Sequence, residues 1–327
     1  MPTLNSFIRT ANASYKRAAR ANARYAREQA KRHQLQLKEQ LKNENIRAVT
    51  SYNEFIKMLT SVHKNCSETY NWQHILQEEE PAKPINKKLN EQAALFASSY
   101  YKPSIIDKIF SLEKNKRKKL ALSVENAIKA DELQYHNAEK QYIEDLEDWK
   151  TIQKIAKGIL AEDSIAYINA LEFFNPFTNI SELGSKTNCS FNNGFMTINI
   201  FVNSSDVIPD YILSYTSTGK LSNKKMPISK FNELYQDYIC SCAIRVAREA
   251  FALLPINYTH VNAIADMLDS SNGRIYPQPI LSCKFVAENM KRLNYESIDC
   301  SDAMRNFTHV MNFSKLNGFT PIILLEN

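Results

Sequence analysis

The chain has 327 residues, of which 44% are hydrophobic and 10% aromatic, and its formal net charge at pH 7 is +6. This apolar content suffices for a substantial core and excludes a wholly disordered chain, and no run of about 18 apolar residues is present to form a transmembrane helix. The first residues lack the apolar centre of a secretory signal, and the six cysteines are scattered. We therefore expect a cytoplasmic protein with reduced thiols and no membrane contact.

Residues 3 to about 62 have the pattern of one long helix. The first half is rich in Ala, and the second half carries apolar residues at helical spacing between Leu35 and Val62. Residues 1–50 contain eleven Lys or Arg residues against three Glu residues, which is a net charge of +8. The pattern therefore predicts a strongly basic helical arm.

A second long helix is predicted over residues 104–160, after a connector at 63–103 that three prolines interrupt. The second helix contains no Pro and only one Gly, and from Tyr135 onward its apolar residues are three or four positions apart, as in a coiled coil. At 1.5 Å per residue the helix would be roughly 85 Å long. A rod of this length needs a partner along most of its surface.

The charges favour pairing of the two helices within one chain. If the chain folds back at the connector, residue numbers on opposing faces sum to roughly 166, so that Arg17–Arg27 oppose residues 139–149. Residues 131–150 contain seven acidic and two basic residues, a net charge of −5. We predict an antiparallel coiled-coil hairpin over residues 1–163, which could also bind a protein partner or further copies of the chain.

The pattern changes after a helical hinge at 164–185. The head domain, residues 186–327, shows alternating apolar residues and turn signals that predict hairpins and helices. The predicted elements are a strand at 195–202 after an Asn193-Gly194 turn, strands at 211–216 and 221–226, a helix from 227 to about 254, strands at 258–267 and 279–285, and short helices at 286–293 and 301–307. The fold class is therefore α+β, with a helical hairpin followed by a compact antiparallel sheet and helix.

Three motifs suggest chemistry but lack the residues that the chemistry needs. Ser217-Thr218-Gly219-Lys220 has neither the first Gly nor the final Ser or Thr of a phosphate-binding loop. Cys240 and Cys242 lie two positions apart in a predicted helix, so they face different directions. His63, Cys66 and His74 lack a fourth ligand at zinc-site spacing. We predict no catalytic residue, no metal site and no cofactor.

A metal-dependent nuclease in the head domain is an alternative hypothesis. Asp206 and Asp210 adjoin a predicted strand, and Asp266 and Asp269 flank a predicted turn. Carboxylates in such positions could hold Mg²⁺. However, Ser282 stands two positions before Lys284, where a familiar nuclease pattern has a carboxylate.

Two groups of basic residues are the strongest functional signal. The first places five positive charges within six residues, at Lys114, Lys116, Arg117, Lys118 and Lys119. In the hairpin register these residues oppose positions 47–52, which contain no acid. The second group consists of Lys220, Lys224 and Lys225, with Tyr211 and Tyr215 nearby for stacking on bases. Such groups predict salt-dependent binding to phosphates.

These features predict a non-enzymatic assembly protein that binds nucleic acid, of a build that would suit a subunit of a bacterial DNA-handling or phage-defence complex. The nuclease-like enzyme is one alternative. The other is a purely structural coiled-coil oligomer that binds no nucleic acid. A salt-dependent shift of labelled DNA or RNA would separate these hypotheses.

Overall fold

A computed structural model gives the protein's structure over residues 4–105, 112–178, 186–192, 195–217 and 219–326, without the side chains of residues 4–19, 21, 23 and 192. The helices are α1 (Leu4–Thr60), α2 (Trp72–Ile75), α3 (Leu89–Ser99), α4 (Glu113–Leu160), α5 (Ser164–Phe174), α6 (Ile228–Leu253), α7 (Ala287–Lys291) and α8 (Cys300–Ala303). The strands are β1 (Lys186–Asn192), β2 (Phe195–Phe201), β3 (Tyr211–Tyr215), β4 (Leu221–Lys225), β5 (Tyr258–Asp269), β6 (Arg274–Val286), β7 (Thr308–Ser314) and β8 (Gly318–Thr320).

The chain divides into two compact units. The sheet unit comprises the described parts of residues 1–68, 176–252 and 256–327. The helical unit comprises those of residues 69–175 and 253–255. The predicted α+β class with two long helices is confirmed. The predicted domain limits at 163 and 185 stay a prediction.

The sheet unit contains a six-stranded sheet in the order β1-β2-β5-β6-β7-β8 and a separate hairpin of β3 and β4. The sheet is mostly antiparallel, but β2 and β5 pair in parallel, with Ile198 opposite Val261. The predicted antiparallel sheet is confirmed except at this pair. The connection between the two strands contains α6, and a parallel pair requires a long crossover of this kind.

Helix α6 is the centre of this unit. Residues 238–247 are buried on every side of the helix, which is typical of a helix with neighbours all around it. On the sheet side, the Tyr235 ring meets the Phe319 ring of β8 at 5.8 Å. The inward residues of the sheet, such as Ile198 and Val261, are fully buried. The predicted helix from 227 to about 254 is confirmed.

Helix α1 joins the sheet unit through its C-terminal part. Val49 and Leu59 are 4% and 1% exposed, and α1 contacts β3. Toward the N-terminus, every described side chain from Arg20 to Glu44 is exposed. The helix therefore packs on this unit at one end and presents a long exposed stretch at the other.

Helix α4 packs within the helical unit against the segment that the sequence marked as a connector. Trp149 Nε1 donates to the Glu78 carbonyl at 3.2 Å, and Gln153 Nε2 donates to the Ile75 carbonyl at 2.7 Å. Asp131 accepts from the backbone N–H of Glu91 at 2.7 Å, so that α4 caps the start of α3. Helix α4 is thus covered by the connector along part of its length.

The long-helix predictions were correct in kind and partly wrong in extent. The α1 prediction is confirmed, whereas α4 begins at Glu113 instead of residue 104, and residues 106–111 lie outside the described part of the chain. The predicted Asn193-Gly194 turn also lies outside it. The coiled-coil pairing of α1 with α4 is not confirmed and stays a prediction. Among the described helices, none has a long enough apolar stretch to cross a bilayer.

Candidate nucleic-acid interface

The first predicted basic group occupies the first two turns of α4. Lys114, Lys116, Arg117, Lys118 and Lys119 are all exposed. Because successive residues of an α-helix are about 100° apart, Lys114, Arg117 and Lys118 share one side of α4, and Lys116 and Lys119 share the other. The group, which we name the α4 patch, therefore extends around the helix.

Arg117 of the α4 patch has intrachain partners. Arg117 Nε lies 3.0 Å from Glu113 Oε1, and its guanidinium lies 5.9 Å from the centre of the Tyr101 ring. The N-terminal end of an α-helix carries a partial positive charge. The lysines in the first turns of α4 therefore add to this positive potential, which an anionic partner would neutralise.

The second predicted basic group lies on the hairpin of β3 and β4. Tyr211 pairs with Lys225, and Ile212 pairs with Lys224. Paired residues project to the same face of a hairpin and successive residues to opposite faces, so Lys225 and Lys224 lie on different faces. Lys220 is exposed and follows Gly219, whose φ of +76° suits a tight turn. We name Lys220, Lys224 and Lys225 the hairpin patch.

The two tyrosines that the sequence suggested for base stacking dock the hairpin onto α1. Tyr52 of α1 donates its hydroxyl hydrogen to the Tyr211 carbonyl at 2.8 Å, and the Tyr215 hydroxyl donates to the Ile46 carbonyl at 2.7 Å. The rings of Tyr52 and Tyr211 are 5.8 Å apart. Tyr211 and Tyr215 are still 38% and 42% exposed. Their first role is therefore to hold the hairpin, and their exposed edges leave limited room for stacking.

The structure places one further basic residue beside the hairpin patch. A Cβ placed on Gly219 would lie 4.0 Å from Lys42 Cε, so Lys42 of α1 lies beside the hairpin turn that carries Lys220. These residues are far apart in the sequence, and the only local signal was the basic character of α1. The α4 patch and the hairpin patch belong to different compact units, and each is a separate surface here.

A buried polar cluster in the sheet unit resembles a nucleophilic dyad in its distances. His63 Nδ1 lies 2.9 Å from Ser241 Oγ and 3.0 Å from Cys300 Sγ. However, these residues are 2%, 0% and 3% exposed. Burial raises the pKa of Cys300 to about 12 and lowers that of His63. A thiol that stays protonated and a hydroxyl without access to solvent suit a structural anchor better than a catalytic site.

Neighbouring charges complete this anchor. The Arg248 guanidinium lies 3.8 Å above the Tyr295 ring and donates to the carbonyl groups of His63 and Lys64. Glu249, which is fully buried, forms an ion pair with Arg245 at 2.6 Å and accepts from the Ser67 N–H at 3.1 Å. The cluster thus fastens the segment that follows α1 to α6.

The acidic residues of the nuclease hypothesis take mainly local roles. Asp269 Oδ1 accepts from the Ser271 N–H and hydroxyl at 2.9 and 2.6 Å, which closes the turn between β5 and β6. These hydrogen bonds lower the pKa of Asp269. Asp206 accepts from the Ser204 hydroxyl at 3.2 Å. Within the described residues, no three His, Cys, Asp or Glu side chains are grouped so that they could hold a metal ion.

Comparison with known proteins finds no matching family model, no matching curated protein and no matching solved structure.

Proposed function

We propose that this chain is a non-enzymatic assembly protein that binds nucleic acid through its α4 patch and its hairpin patch. The observation that supports this proposal most is the exposure of five basic residues around the first two turns of α4. Each Lys or Arg that pairs with a phosphate releases condensed counterions, so such a patch gains affinity at low salt. The expected interaction is with the backbone, without base-specific contacts.

The proposal includes an assembly role for the two long helices. The basic stretch of α1 and the acidic stretch of α4 have net charges of +8 and −5 over residues 1–50 and 131–150. Each also carries exposed leucines, namely Leu35 and Leu41, 56% and 59% exposed, and Leu133, 63% exposed. Complementary charges beside apolar residues are what a coiled-coil partner requires. We propose that α1 and α4 pair with each other or with further copies.

The cellular setting is proposed on the same grounds. A cytoplasmic protein with a helical rod, a compact head and separate phosphate-binding surfaces would suit a bacterial DNA-handling or phage-defence complex. In such a complex, the rod would hold protein partners while the patches hold nucleic acid.

The test is equilibrium binding of labelled DNA and RNA at 50 and 200 mM salt. Replacing both Lys118 and Lys119 with Glu should weaken binding about tenfold or more at low salt, because two attractive contacts become repulsive. The matched control replaces Lys154 and Lys157, which are exposed near the other end of α4, with Glu.

The control should bind like the native chain. Equal losses in both variants would show that binding depends only on total charge. If the native chain binds neither DNA nor RNA at 50 mM salt, the proposal fails and the purely structural oligomer is favoured. Cleavage that needs a metal and is lost in Asp210→Ala or Asp269→Ala would instead establish the nuclease hypothesis.

A further inference from the structure

The exposed part of α1 carries its basic residues in a narrow row. Six of them follow one another at steps of 4, 3, 4, 7 and 4 residues. At about 100° per residue, all six fall within roughly 60° of the helix circumference. We name this row the α1 stripe: Arg20, Arg24, Arg27, Lys31, Lys38 and Lys42.

The other charges of this stretch lie off the row. The same geometry places Glu28, Glu39 and Glu44, together with Arg32 and Arg47, outside the sector of roughly 60° that the α1 stripe occupies. All six residues of the α1 stripe are exposed. Among the residues whose side chains are described, none of the six takes part in an ion pair. The segregation of charge leaves the stripe uniformly positive.

The α1 stripe continues the helix face that packs on the sheet unit. Val49, which is 4% exposed, lies seven residues after Lys42 and therefore on the same side of α1. At this end of the stripe, Lys42 lies beside Gly219 in the hairpin turn, and Lys220 follows. The stripe and Lys220 thus belong to one surface of one compact unit.

We infer that the α1 stripe, together with Lys220, binds the phosphate backbone of single-stranded nucleic acid. This inference rests on the proposed function, extends the surface of the hairpin patch along α1 through Lys42 and Lys220, and adds the form of the strand. A helix in the major groove of a duplex has phosphates of both strands beside it, which would favour basic residues on two flanks. A single narrow sector instead matches one row of phosphates.

The spacing of the charges agrees with this assignment. Steps of three and four residues correspond to a rise of about 4.5 to 6 Å along α1, and the seven-residue step from Lys31 to Lys38 corresponds to about 10.5 Å, or two such intervals. Successive contacts at this interval can follow one extended strand, and the hairpin turn lies where the row meets the body of the unit. Lys and Arg side chains are long and flexible enough to adjust to the remaining mismatch.

The rival occupant is the acidic stretch of α4 from a second copy. A coiled-coil contact requires apolar residues along the seam between the helices. The exposed leucines Leu35 and Leu41 lie on the two flanks of the stripe, whereas the roughly 60° sector between them contains only basic residues from Arg20 to Lys42. The phosphate strand is therefore the better match for this particular face.

The experiment compares two double variants of the full chain that lose the same charge. Arg27→Gln with Lys31→Gln removes two residues of the α1 stripe, and Arg32→Gln with Arg47→Gln removes two exposed basic residues off the stripe. Binding of labelled oligo-dT, oligo-U and a duplex of equal length is measured across a salt series. The stripe variant should flatten the log–log salt slope for the single strands by about 1.4, that is, about 0.7 for each lost contact.

The off-stripe variant should keep the native slope, and the duplex should bind the native chain more weakly than the single strands do. Equal effects of both variants, or tighter binding of the duplex, would overturn the inference. So would a stripe variant that binds normally but loses self-association in light scattering, since this result would assign the face to α4 of a second copy. If the native chain binds but only Lys118→Glu with Lys119→Glu abolishes binding, the inference fails and the proposed function stands. If the native chain binds no nucleic acid, both the inference and the proposed function fail.

Discussion

His63 Nδ1 lies 2.9 Å from Ser241 Oγ, although the two residues are 178 positions apart in the chain. The backbone N–H of His63 donates to the same oxygen at 3.0 Å, and Nε2 lies 3.0 Å from the Tyr295 carbonyl. The carbonyl can only accept, so Nε2 carries the hydrogen and Nδ1 accepts from the serine hydroxyl. The neutral imidazole therefore joins three separate segments at the point where α1 ends.

Replacing this ring should destabilise the sheet unit strongly. His63→Ala leaves a cavity and removes hydrogen-bond partners from Ser241 and the Tyr295 carbonyl, so we expect a loss of about 2–4 kcal/mol in the free energy of unfolding. Urea unfolding followed by circular dichroism measures this loss. His33→Ala, at an exposed position of α1, should change the value by less than about 0.5 kcal/mol. Similar values for both variants would contradict the anchoring role.

The same ring should make stability fall in mild acid. Burial lowers the pKa of His63 below its ordinary value of 6.5, with the positive charges of Lys64 and Arg248 acting in the same direction. The unfolded chain then binds a proton more readily than the folded chain, so stability decreases as the pH falls below about 6.5. In His63→Gln, which cannot be protonated, the melting temperature should depend less on pH between pH 7 and 5. An unchanged dependence would show that other groups cause it.

Asp237 should make stability depend on pH in the opposite direction, so that stability falls as the pH rises. Burial and the nearby carboxylate of Asp299 raise its pKa from 3.8 to about 6. The folded chain therefore holds this proton more strongly, and its contribution to stability is lost as the pH rises from about 4 to 6. Asp237→Asn should be more stable than the native chain at pH 7, by on the order of 1 kcal/mol after allowing for solvent screening. Thermal unfolding at pH 4 and 7 tests this, since the difference should vanish at pH 4.

Gly158 should resist a substitution that helix propensity favours. A Cβ on Gly158 would lie 2.4 Å from Ala166 Cβ, so the end of α4 and the start of α5 leave no room for a methyl group. We expect Gly158→Ala to lower the free energy of unfolding by about 1–3 kcal/mol, although Ala is the better helix former by about 1 kcal/mol. Adding Ala166→Gly should recover most of the loss in urea unfolding. A stabilised single variant would show that the helices can separate at no cost.

Local patterns predicted most of the elements. Helix α6, the strands β5 and β6, and the paired strands β3 and β4 were all predicted and are confirmed, although β6 begins at Arg274, five residues before the predicted start. Each of these elements carries its own periodicity over enough residues to be recognised. The strands β7 and β8 were not predicted, and β8 has only three residues. A strand that short shows no pattern apart from the neighbours with which it pairs.

Some features of the candidate interface were likewise visible in the sequence, and others appear only in the structure. Charge is a property of single residues, so the α4 patch and the basic character of α1 were visible in the sequence. The hydrogen bonds that the connector makes have no comparable signal in the sequence. In the structure Ile75 supplies a carbonyl that accepts from Gln153, while Trp72 donates to the Leu253 carbonyl at 2.8 Å. Hydrogen bonds of this kind depend on which surfaces meet.

The sequence by itself determined where the two long helices and α6 form and which segments are basic or acidic. These properties follow from spacing along the chain, since a helix repeats every 3.6 residues whatever surrounds it. Only the tertiary structure decided that β2 and β5 run in parallel, that Lys42 lies beside the hairpin turn, and that His63 reaches Ser241. Such contacts join residues far apart in the chain and depend on the packing of several elements at once, which no local pattern encodes.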